Sequence, residues 1–183
     1  GRRAVRPRLR GARRKAGVTA DTAPLVADAA LPRLGGSDRP VVPVAVGVLI
    51  QPVDGAFLLT SRPQGKVYAG YWEFPGGKLE AGETVEQALA RELHEELGIT
   101  VDPVDVQRWK TERVDYPHAL VDLHFCRLFR WQGDLHMREG QQFAWEQLPV
   151  AVAPVLPGTL PVLRWLATER GVDQTSILIA DRG

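Results

Sequence analysis

Three glutamates lie close together in residues 91–96, which read Arg-Glu-Leu-His-Glu-Glu. On a helix, at about 100° per residue, Glu92, Glu95 and Glu96 fall within about 100° of one another and share a face. Like charges at this spacing repel, and Arg91 is the nearby cation on the same helix. Magnesium relieves such a cluster because it prefers oxygen ligands and commonly also binds substrate phosphates. The pattern therefore indicates a metal site for a phosphate compound, with a solvated acidic helix face as the alternative.

Two glycines and a proline precede this acidic segment, in residues 72–77, which read Trp-Glu-Phe-Pro-Gly-Gly. Glycine has no Cβ, so the backbone there can approach a ligand closely. Together the two segments resemble the Nudix box, G-x5-E-x7-R-E-U-x-E-E-x-G-U with U aliphatic. Every fixed position is filled at the correct spacing, by Gly77, Glu83, Arg91, Glu92, Leu93, Glu95, Glu96, Gly98 and Ile99.

The resemblance extends over roughly residues 42–168 and includes the MutT-like branch of the Nudix family. Residues 72–77 carry it, as do residues 138–141, which read Arg-Glu-Gly-Gln, with Trp145 just beyond. It implies an α/β chain with the Nudix fold, an α/β/α sandwich around a mixed β-sheet. It also implies hydrolysis of a nucleoside diphosphate linked to another group, with Mg²⁺ or Mn²⁺ as the cofactor.

Individual roles follow from position in the motif. The resemblance implies metal ligands at the Gly76 carbonyl, Glu92, Glu95 and Glu96. It implies a remote carboxylate at Glu139, which completes the metal site or deprotonates water. Whether Glu95, Glu96 or Glu139 is the catalytic base stays open, because family members differ. The other box residues have structural roles, with the last two as a pair that fixes the loop on the helix: Gly77, Glu83 and Arg91.

MutT-like enzymes attack the β-phosphorus of a nucleoside triphosphate and release the monophosphate and pyrophosphate. The resemblance implies substrate-binding residues at Arg62, Glu73, Phe74 and Thr159. A surface position for Arg62 and core packing for Phe74 are the alternatives. Thr159 stands where an enzyme specific for 8-oxoguanine has Asn, and Val67 stands where a histidine is expected. A hydroxyl cannot replace an amide that donates and accepts together, so we expect weaker discrimination of oxidised purines.

The leading hypothesis is a Mg²⁺-dependent nucleoside triphosphate pyrophosphohydrolase that removes oxidised or otherwise modified (d)NTPs, such as 8-oxo-dGTP, before they enter DNA. A Nudix hydrolase of ADP-ribose or of a dinucleoside polyphosphate is the alternative, and a non-catalytic nucleotide-binding module is a third hypothesis. Residues 73–77 favour the first because they resemble the triphosphate branch. The intact Glu92, Glu95 and Glu96 argue against a loss of catalysis.

The sequence also predicts strands on both sides of residues 72–99, which contain the glycines and the glutamates. Residues 44–50 alternate β-branched and smaller side chains, which predicts a strand. Asp54-Gly55 is a hairpin signal, so residues 56–60 are the predicted partner strand. Residues 104–114 and 119–131 alternate in the same way around a four-residue turn, which predicts a second hairpin.

Two helices are predicted. Residues 84–97 carry apolar side chains at helical spacing, Thr84 and Gln87 form a capping box, and Gly98 supplies the left-handed stop. Residues 160–168 repeat apolar side chains in a second helix that packs on a sheet. Mixed strands and helices of this kind favour a layered α/β domain.

The charge distribution divides the chain of 183 residues. Residues 1–40 hold ten Lys/Arg and three Asp, whereas the remaining residues have an excess of acidic side chains. A basic segment without apolar periodicity is typical of disorder. We therefore predict a basic N-terminal extension over 1–40, a hydrolase domain over 41–170 and a C-terminal tail over 171–183. Nucleic-acid binding by the extension is the less favoured alternative to a solvated segment.

Composition also bounds the environment. The longest apolar run, residues 41–50, contains Pro43, whereas a membrane helix needs about 20 apolar residues. Cys126 is the single cysteine and cannot form an intrachain disulfide, which suits a reducing cytoplasm. We expect Cys126 to be a small buried hydrophobic residue. The predicted partner is a nucleotide, with no membrane contact, and the chain is expected to be a monomer or homodimer.

Overall fold

The computed structural model describes residues 39–179. Its strands are β1 Val41–Leu49, β2 Phe57–Ser61, β3 Trp72–Glu73, β4 Gly76–Lys78, β5 Gln107–Asp115, β6 Leu120–Leu128 and β7 Phe143–Glu146. Its α-helices are α1 Val85–Leu97 and α2 Leu160–Arg170. Short 3₁₀ turns lie at Pro103–Asp105, Pro157–Thr159 and Gln174–Ser176. The predicted basic extension lies outside the described residues except for its last two positions, so its disorder stays a prediction.

Strand β1 lies inside a four-stranded mixed sheet of order β4-β1-β6-β5. It runs parallel to β6, with Val41 opposite Leu120, and antiparallel to β4, with Val46 opposite Gly76. A second, antiparallel sheet has the order β3-β2-β7. The pairing with β1 fixes the two glycines of β4 at the edge of the larger sheet, beside α1.

The two faces of β1 pack against different helices, because successive side chains of a strand point to opposite faces. Val44, Val46 and Val48 belong to one buried cluster, to which α2 contributes Val162, Leu163, Leu166 and Ala167. Ala45 and Leu49 belong to a second cluster, to which α1 contributes Val85, Ala88, Leu89, Leu93 and Leu97. The predicted α/β/α sandwich around a mixed sheet is confirmed.

Helix α1 begins and ends where its sequence predicts. The Thr84 hydroxyl accepts a hydrogen bond from the Gln87 backbone N–H (3.1 Å), and the Gln87 side-chain oxygen accepts one from the Thr84 N–H (3.0 Å). Gly98 ends the helix in the left-handed region at φ 72°. These caps fix the rotation of α1, and therefore the direction in which its glutamates point.

The predicted second hairpin is confirmed, because β5 and β6 pair antiparallel around the turn that follows Asp115. The first hairpin prediction is wrong in its pairing. The turn exists, with the Gly55 N–H donating to the Gln51 carbonyl (2.8 Å), but β1 and β2 share only the bridge between Ile50 and Phe57 among the described pairings. Strand β2 then joins the other sheet, because both edges of β1 are occupied by β4 and β6.

The ends of the described region are tied to the domain. The Arg39 guanidinium donates to the Tyr116 carbonyl (3.0 Å) and pairs with the Asp115 carboxylate. At the other end, Leu178 forms a parallel bridge with Val150. Among residues 39–179, no helix is long and apolar enough to cross a membrane. The predicted domain boundaries stay predictions, as do the cytoplasmic location and the oligomeric state.

Cys126 is fully buried in the cluster beneath α1. Burial raises the pKa of its thiol to about 11, so the thiolate that a nucleophile needs is scarce at neutral pH. The prediction of a small buried hydrophobic residue at this position is confirmed.

Candidate active site

The three box glutamates of α1, Glu92, Glu95 and Glu96, have different surroundings. Glu92 and Glu96 are partly buried, one helical turn apart, on the side that faces β4 and the segment after β6. Glu95 is 57% exposed, and one of its oxygens lies 3.3 Å from Arg91 Nη1. The structure thus places Glu92 and Glu96 inside the candidate site and Glu95 at its rim.

Arg91 joins the helix to the loop that precedes it. Its Nε and Nη2 donate to the two Glu83 oxygens (2.8 and 2.9 Å), and Nη2 also donates to the Lys78 carbonyl (3.0 Å). Its Nη1 donates to Glu92 Oε1 (2.9 Å). The Arg91 guanidinium holds the pKa of Glu83 below its ordinary value, mainly through these hydrogen bonds. The predicted structural residues Glu83 and Arg91 therefore form a bidentate ion pair.

Gly76 and Gly77 are small because two neighbours leave no room for a side chain. A Cβ on Gly76 would lie 2.1 Å from the Ala45 carbonyl oxygen of β1. A Cβ on Gly77 would lie 2.4 Å from Cδ of Glu92 and 2.5 Å from its Oε1. The second glycine therefore lets the Glu92 carboxylate lie directly against the backbone of β4.

Negative charge converges on Glu96. Burial raises the pKa of Glu96 well above its ordinary value, and the nearby charges of Glu92, Glu139 and Glu73 raise it further. The pKa of Glu92 is also raised, mainly by burial, although Arg91 opposes the shift. A region in which several carboxylates hinder one another's ionisation is electrostatically suited to a cation.

Glu139 comes from the segment between β6 and β7, which lies on the C-terminal end of α1. The Arg138 N–H donates to the Glu96 carbonyl (3.2 Å). Buried Gln141 bridges the two parts, because its Nε2 donates to the same carbonyl (3.2 Å) and its Oε1 accepts from the Glu139 N–H (3.0 Å). Sequence reasoning gave Gln141 no role. Its only signal was its place in the Arg-Glu-Gly-Gln stretch, which does not reveal this bridge.

A narrow cleft of about 40 Å³ opens beside the carboxylates. Three of the four predicted substrate-binding residues line it, namely Glu73, Phe74 and Thr159. The other lining residues are Val44, Val46, Gly76, Gly77, Leu123, Phe125 and Gly158. Because Gly77 lines the cleft and also backs onto Glu92, the cleft and the carboxylate cluster share a wall.

Phe74 and Thr159 are both buried, so each combines core packing with a place in the cleft wall. The Phe74 ring lies 6.0 Å from the Phe57 ring, centroid to centroid. The Thr159 hydroxyl lies 3.5 Å from the Trp72 carbonyl oxygen, at the outer limit of a hydrogen bond. Phe74 is therefore both a core residue and part of the cleft wall, as the two alternatives for it had each predicted.

Arg62 does not occupy the surface, so that alternative is wrong: only 5% of its side chain is exposed. Its Nε donates to the Val67 carbonyl (2.7 Å) and its Nη1 donates to Glu73 Oε1 (3.0 Å). Arg62 is not among the residues that line the cleft, although Glu73 is. The structure therefore places Arg62 behind Glu73, between the cleft and the loop that follows β2.

The donor set of the site fits a hard divalent cation. Burial raises the pKa of Glu96, and the charges of Glu92, Glu139 and Glu73 lie close enough to raise it further; carboxylate oxygens of this kind are the ligands that Mg²⁺ prefers. Within residues 39–179, however, no three His, Cys, Asp or Glu side chains stand in a ready-made metal-binding group. One oxygen each of Glu92 and Glu95 instead contacts Arg91 Nη1, at 2.9 and 3.3 Å.

Comparison with known proteins gives consistent results. The family model described as NUDIX domain matches residues 41–166. A Haemophilus influenzae protein named 8-oxo-dGTP diphosphatase is 35% identical over 133 residues, which cover 72% of this chain and 96% of the relative. An Escherichia coli protein named CTP pyrophosphohydrolase is 36% identical over 111 residues, which cover 60% and 81%.

Among solved structures, the Escherichia coli ORF135 protein superimposes with a TM-score of 0.62 at 30% identity, covering 74% of this chain and 96% of that one. The family match spans the sandwich from β1 into α2, and it includes the glycines, the Glu83–Arg91 pair and the α1 glutamates. The chain therefore belongs to the NUDIX family.

Proposed function

We propose that this Nudix hydrolase is a Mg²⁺-dependent nucleoside triphosphate pyrophosphohydrolase that acts on oxidised or otherwise modified (d)NTPs, such as 8-oxo-dGTP. The observation that carries the proposal is the wall shared by the cleft and the carboxylate cluster. A base in the cleft would place its phosphates toward Glu92 and Glu96. Relatives named 8-oxo-dGTP diphosphatase and CTP pyrophosphohydrolase support a triphosphate substrate.

The proposed metal ligands are the Gly76 carbonyl and the carboxylates of Glu92, Glu95, Glu96 and Glu139. Nudix hydrolases depend on a divalent metal, and Mg²⁺ suits this all-oxygen set best, with Mn²⁺ as a substitute. When bound, the metal screens the phosphate oxygens, lowers the pKa of a coordinated water and stabilises the leaving phosphate. The protein contributes the directions of the oxygens, which the α1 caps and the Gln141 bridge fix.

The general base is proposed to be Glu96 or Glu139. A base needs a carboxylate oxygen within reach of the attacking water. Glu95 meets this need least well, because its carboxylate lies at the rim beside Arg91. Glu96 lies deep in the cluster, whereas Glu139 lies on a separate segment that faces it, so the water would be bound between them.

Base recognition is proposed to involve Glu73, Phe74 and Thr159, with Arg62 orienting Glu73 from behind. The cleft of about 40 Å³ is much smaller than the pockets of about 300–1,000 Å³ that hold drug-sized ligands. The cleft must therefore widen when a base enters. A single hydroxyl at Thr159 gives little discrimination between bases, which favours several accepted nucleotides.

A substrate panel in H₂¹⁸O tests the proposal. The panel contains dGTP, 8-oxo-dGTP, CTP, ADP-ribose and a dinucleoside polyphosphate, each with Mg²⁺ or Mn²⁺. We expect triphosphates to be cleaved to the monophosphate and pyrophosphate, with ¹⁸O in the pyrophosphate, because water attacks the β-phosphorus. Preferred cleavage of ADP-ribose or the dinucleoside polyphosphate would contradict the proposal, as would ¹⁸O in the monophosphate.

A further inference from the structure

A lysine from the loop after β2 reaches the candidate active site. The Lys66 Nζ lies 3.7 Å from Oε2 of Glu139, and the two side chains are 39% and 41% exposed. The contact joins the loop between β2 and β3 to the segment between β6 and β7. Both side chains keep part of their surface in water, so each can exchange this partner for another.

The backbone that carries Lys66 is held in place. The Arg62 N–H donates to the Tyr71 carbonyl (2.8 Å) and the Gly70 N–H donates to the Arg62 carbonyl (2.9 Å), which closes the neck of the loop. Buried Arg62 also donates through Nε to the carbonyl of Val67, the residue after Lys66. The loop backbone is therefore fixed beneath the partly exposed Lys66 side chain.

The support of this loop is also connected to the cleft. Arg62 Nη1 donates to Glu73, which lines the cleft and whose charge adds to the pKa shift of Glu96. One buried guanidinium thus positions both a wall of the cleft and the backbone beside Lys66.

We propose that Lys66 is a substrate-binding residue that takes a phosphate oxygen of the nucleotide and that rests on Glu139 between turnovers. The inference rests on the proposed function, because a polyphosphate must lie beside Glu139. An ammonium is a compact point charge with three donors, and phosphate oxygens are its natural partner. Lys66 and the proposed metal also compete for the same carboxylate, because like charges beside Glu139 repel. The ammonium therefore moves from a carboxylate oxygen to a phosphate oxygen without a change in the loop backbone.

Three variants test this proposal: Lys66→Met removes the charge, Lys66→Arg retains it, and Lys110→Met is the matched control. Lys110 belongs to β5, and its Nζ lies over the ring of Trp165 in α2, away from the carboxylates. Steady-state kinetics with the best triphosphate substrate give KM and kcat, and calorimetry gives the affinity for inorganic pyrophosphate. Electron paramagnetic resonance gives the affinity of each free variant for Mn²⁺.

For Lys66→Met we expect KM and the pyrophosphate Kd to rise together by about tenfold, with kcat changed less than about threefold. Mn²⁺ should bind about threefold more tightly, because its competitor is gone. Lys66→Arg should restore KM and pyrophosphate binding to within about threefold, and Lys110→Met should change neither quantity.

Unchanged pyrophosphate binding in Lys66→Met would overturn the phosphate contact. Unchanged Mn²⁺ binding would overturn the sharing of Glu139. If the wild-type enzyme hydrolyses no triphosphate, the proposed function fails, and the pyrophosphate and Mn²⁺ titrations still decide whether Lys66 has this role.

Discussion

The carboxylate of Glu92 lies against the backbone of Gly77, so closely that a single added methyl group would stand 2.4 Å from its carbon. The neighbouring Gly76 meets the Ala45 carbonyl instead. Two adjacent glycines therefore have different neighbours: one faces a side chain of the proposed metal site and the other faces the sheet. Their alanine variants therefore place the new Cβ against different neighbours, a side chain at Gly77 and the sheet backbone at Gly76.

Gly77→Ala is expected to lower kcat by about 100-fold while the protein stays folded, because the Glu92 side chain can swing away from the new Cβ. Gly76→Ala is expected to lower the free energy of unfolding by about 3 kcal/mol, because its Cβ meets backbone that cannot move alone. Thermal melts and turnover of both variants check this pair. Equal losses of stability in the two variants would contradict the assignment.

Glu96→Gln is expected to lower turnover by at least about two orders of magnitude, because it removes a proposed metal ligand and candidate base. It should not lower stability in EDTA, because it removes one charge from carboxylates that repel one another. The measurements are kcat in saturating Mg²⁺ and the Tm in EDTA. Near-wild-type turnover in the purified variant would show that the metal site lies elsewhere.

The raised pKa of Glu96 predicts the pH dependence of stability in EDTA. Because the folded protein holds this proton more tightly than the unfolded chain, stability is fully present below the ordinary carboxyl pKa and falls as pH rises through the folded-state pKa. The lowered pKa of Glu83 has the opposite sign, and it acts below the ordinary value. We expect the Glu96 contribution to lower the Tm between pH 5 and pH 8.

Melting curves of the wild type and of Glu96→Gln across this pH range check the prediction. The variant should have the flatter profile. Added Mg²⁺ should raise the wild-type Tm more at pH 8 than at pH 5, because the carboxylates must be ionised to bind it. Identical pH profiles of the Tm in the wild type and in Glu96→Gln would rule out the electrostatic account of the cluster.

Thr159→Asn is expected to raise the ratio of kcat/KM for 8-oxo-dGTP over dGTP. The amide would donate and accept at a position where the wild-type hydroxyl lies 3.5 Å from the Trp72 carbonyl oxygen. The gain should be on the order of one bidentate pair, about 1–3 kcal/mol in transition-state free energy. Competition kinetics with both nucleotides measure it. A wild-type preference above about 10⁴-fold, or no gain on mutation, would mean that other residues read the base.

The sequence predicted the features that are encoded locally. The alternation of β1 and the caps of α1 each depend on neighbours within a few positions, and the structure bears out both. The box spacing placed Glu83 and Arg91 one loop apart, and they are in contact. A segment with a regular apolar pattern or with capping residues therefore predicts its own secondary structure without knowledge of distant residues.

Features that depend on distant segments were not predictable in the same way. Strand β2 pairs in the second sheet and not with β1, because β4 and β6 occupy both edges of β1. The residues around the Asp54-Gly55 turn carry no signal for this pairing. Arg62 reads as a strand-end arginine, yet the loop after it closes over its side chain. Gln141 bridges Glu139 and Glu96 only because their segments pack together.

The parallel pairing of Val41 with Leu120 also has a consequence for how the chain folds during synthesis. Helix α1 can form as soon as residues 84–98 have left the ribosome, since its caps are local. The sheet beneath it is complete only after β6 emerges, and such non-local pairing slows folding. A nascent chain that stops before Leu128 would therefore have β1 and β4 beside α1 but would lack the Cys126 and Leu128 part of the buried cluster beneath it. Catalytic competence should appear late in translation, and premature termination within β6 should yield an aggregation-prone fragment.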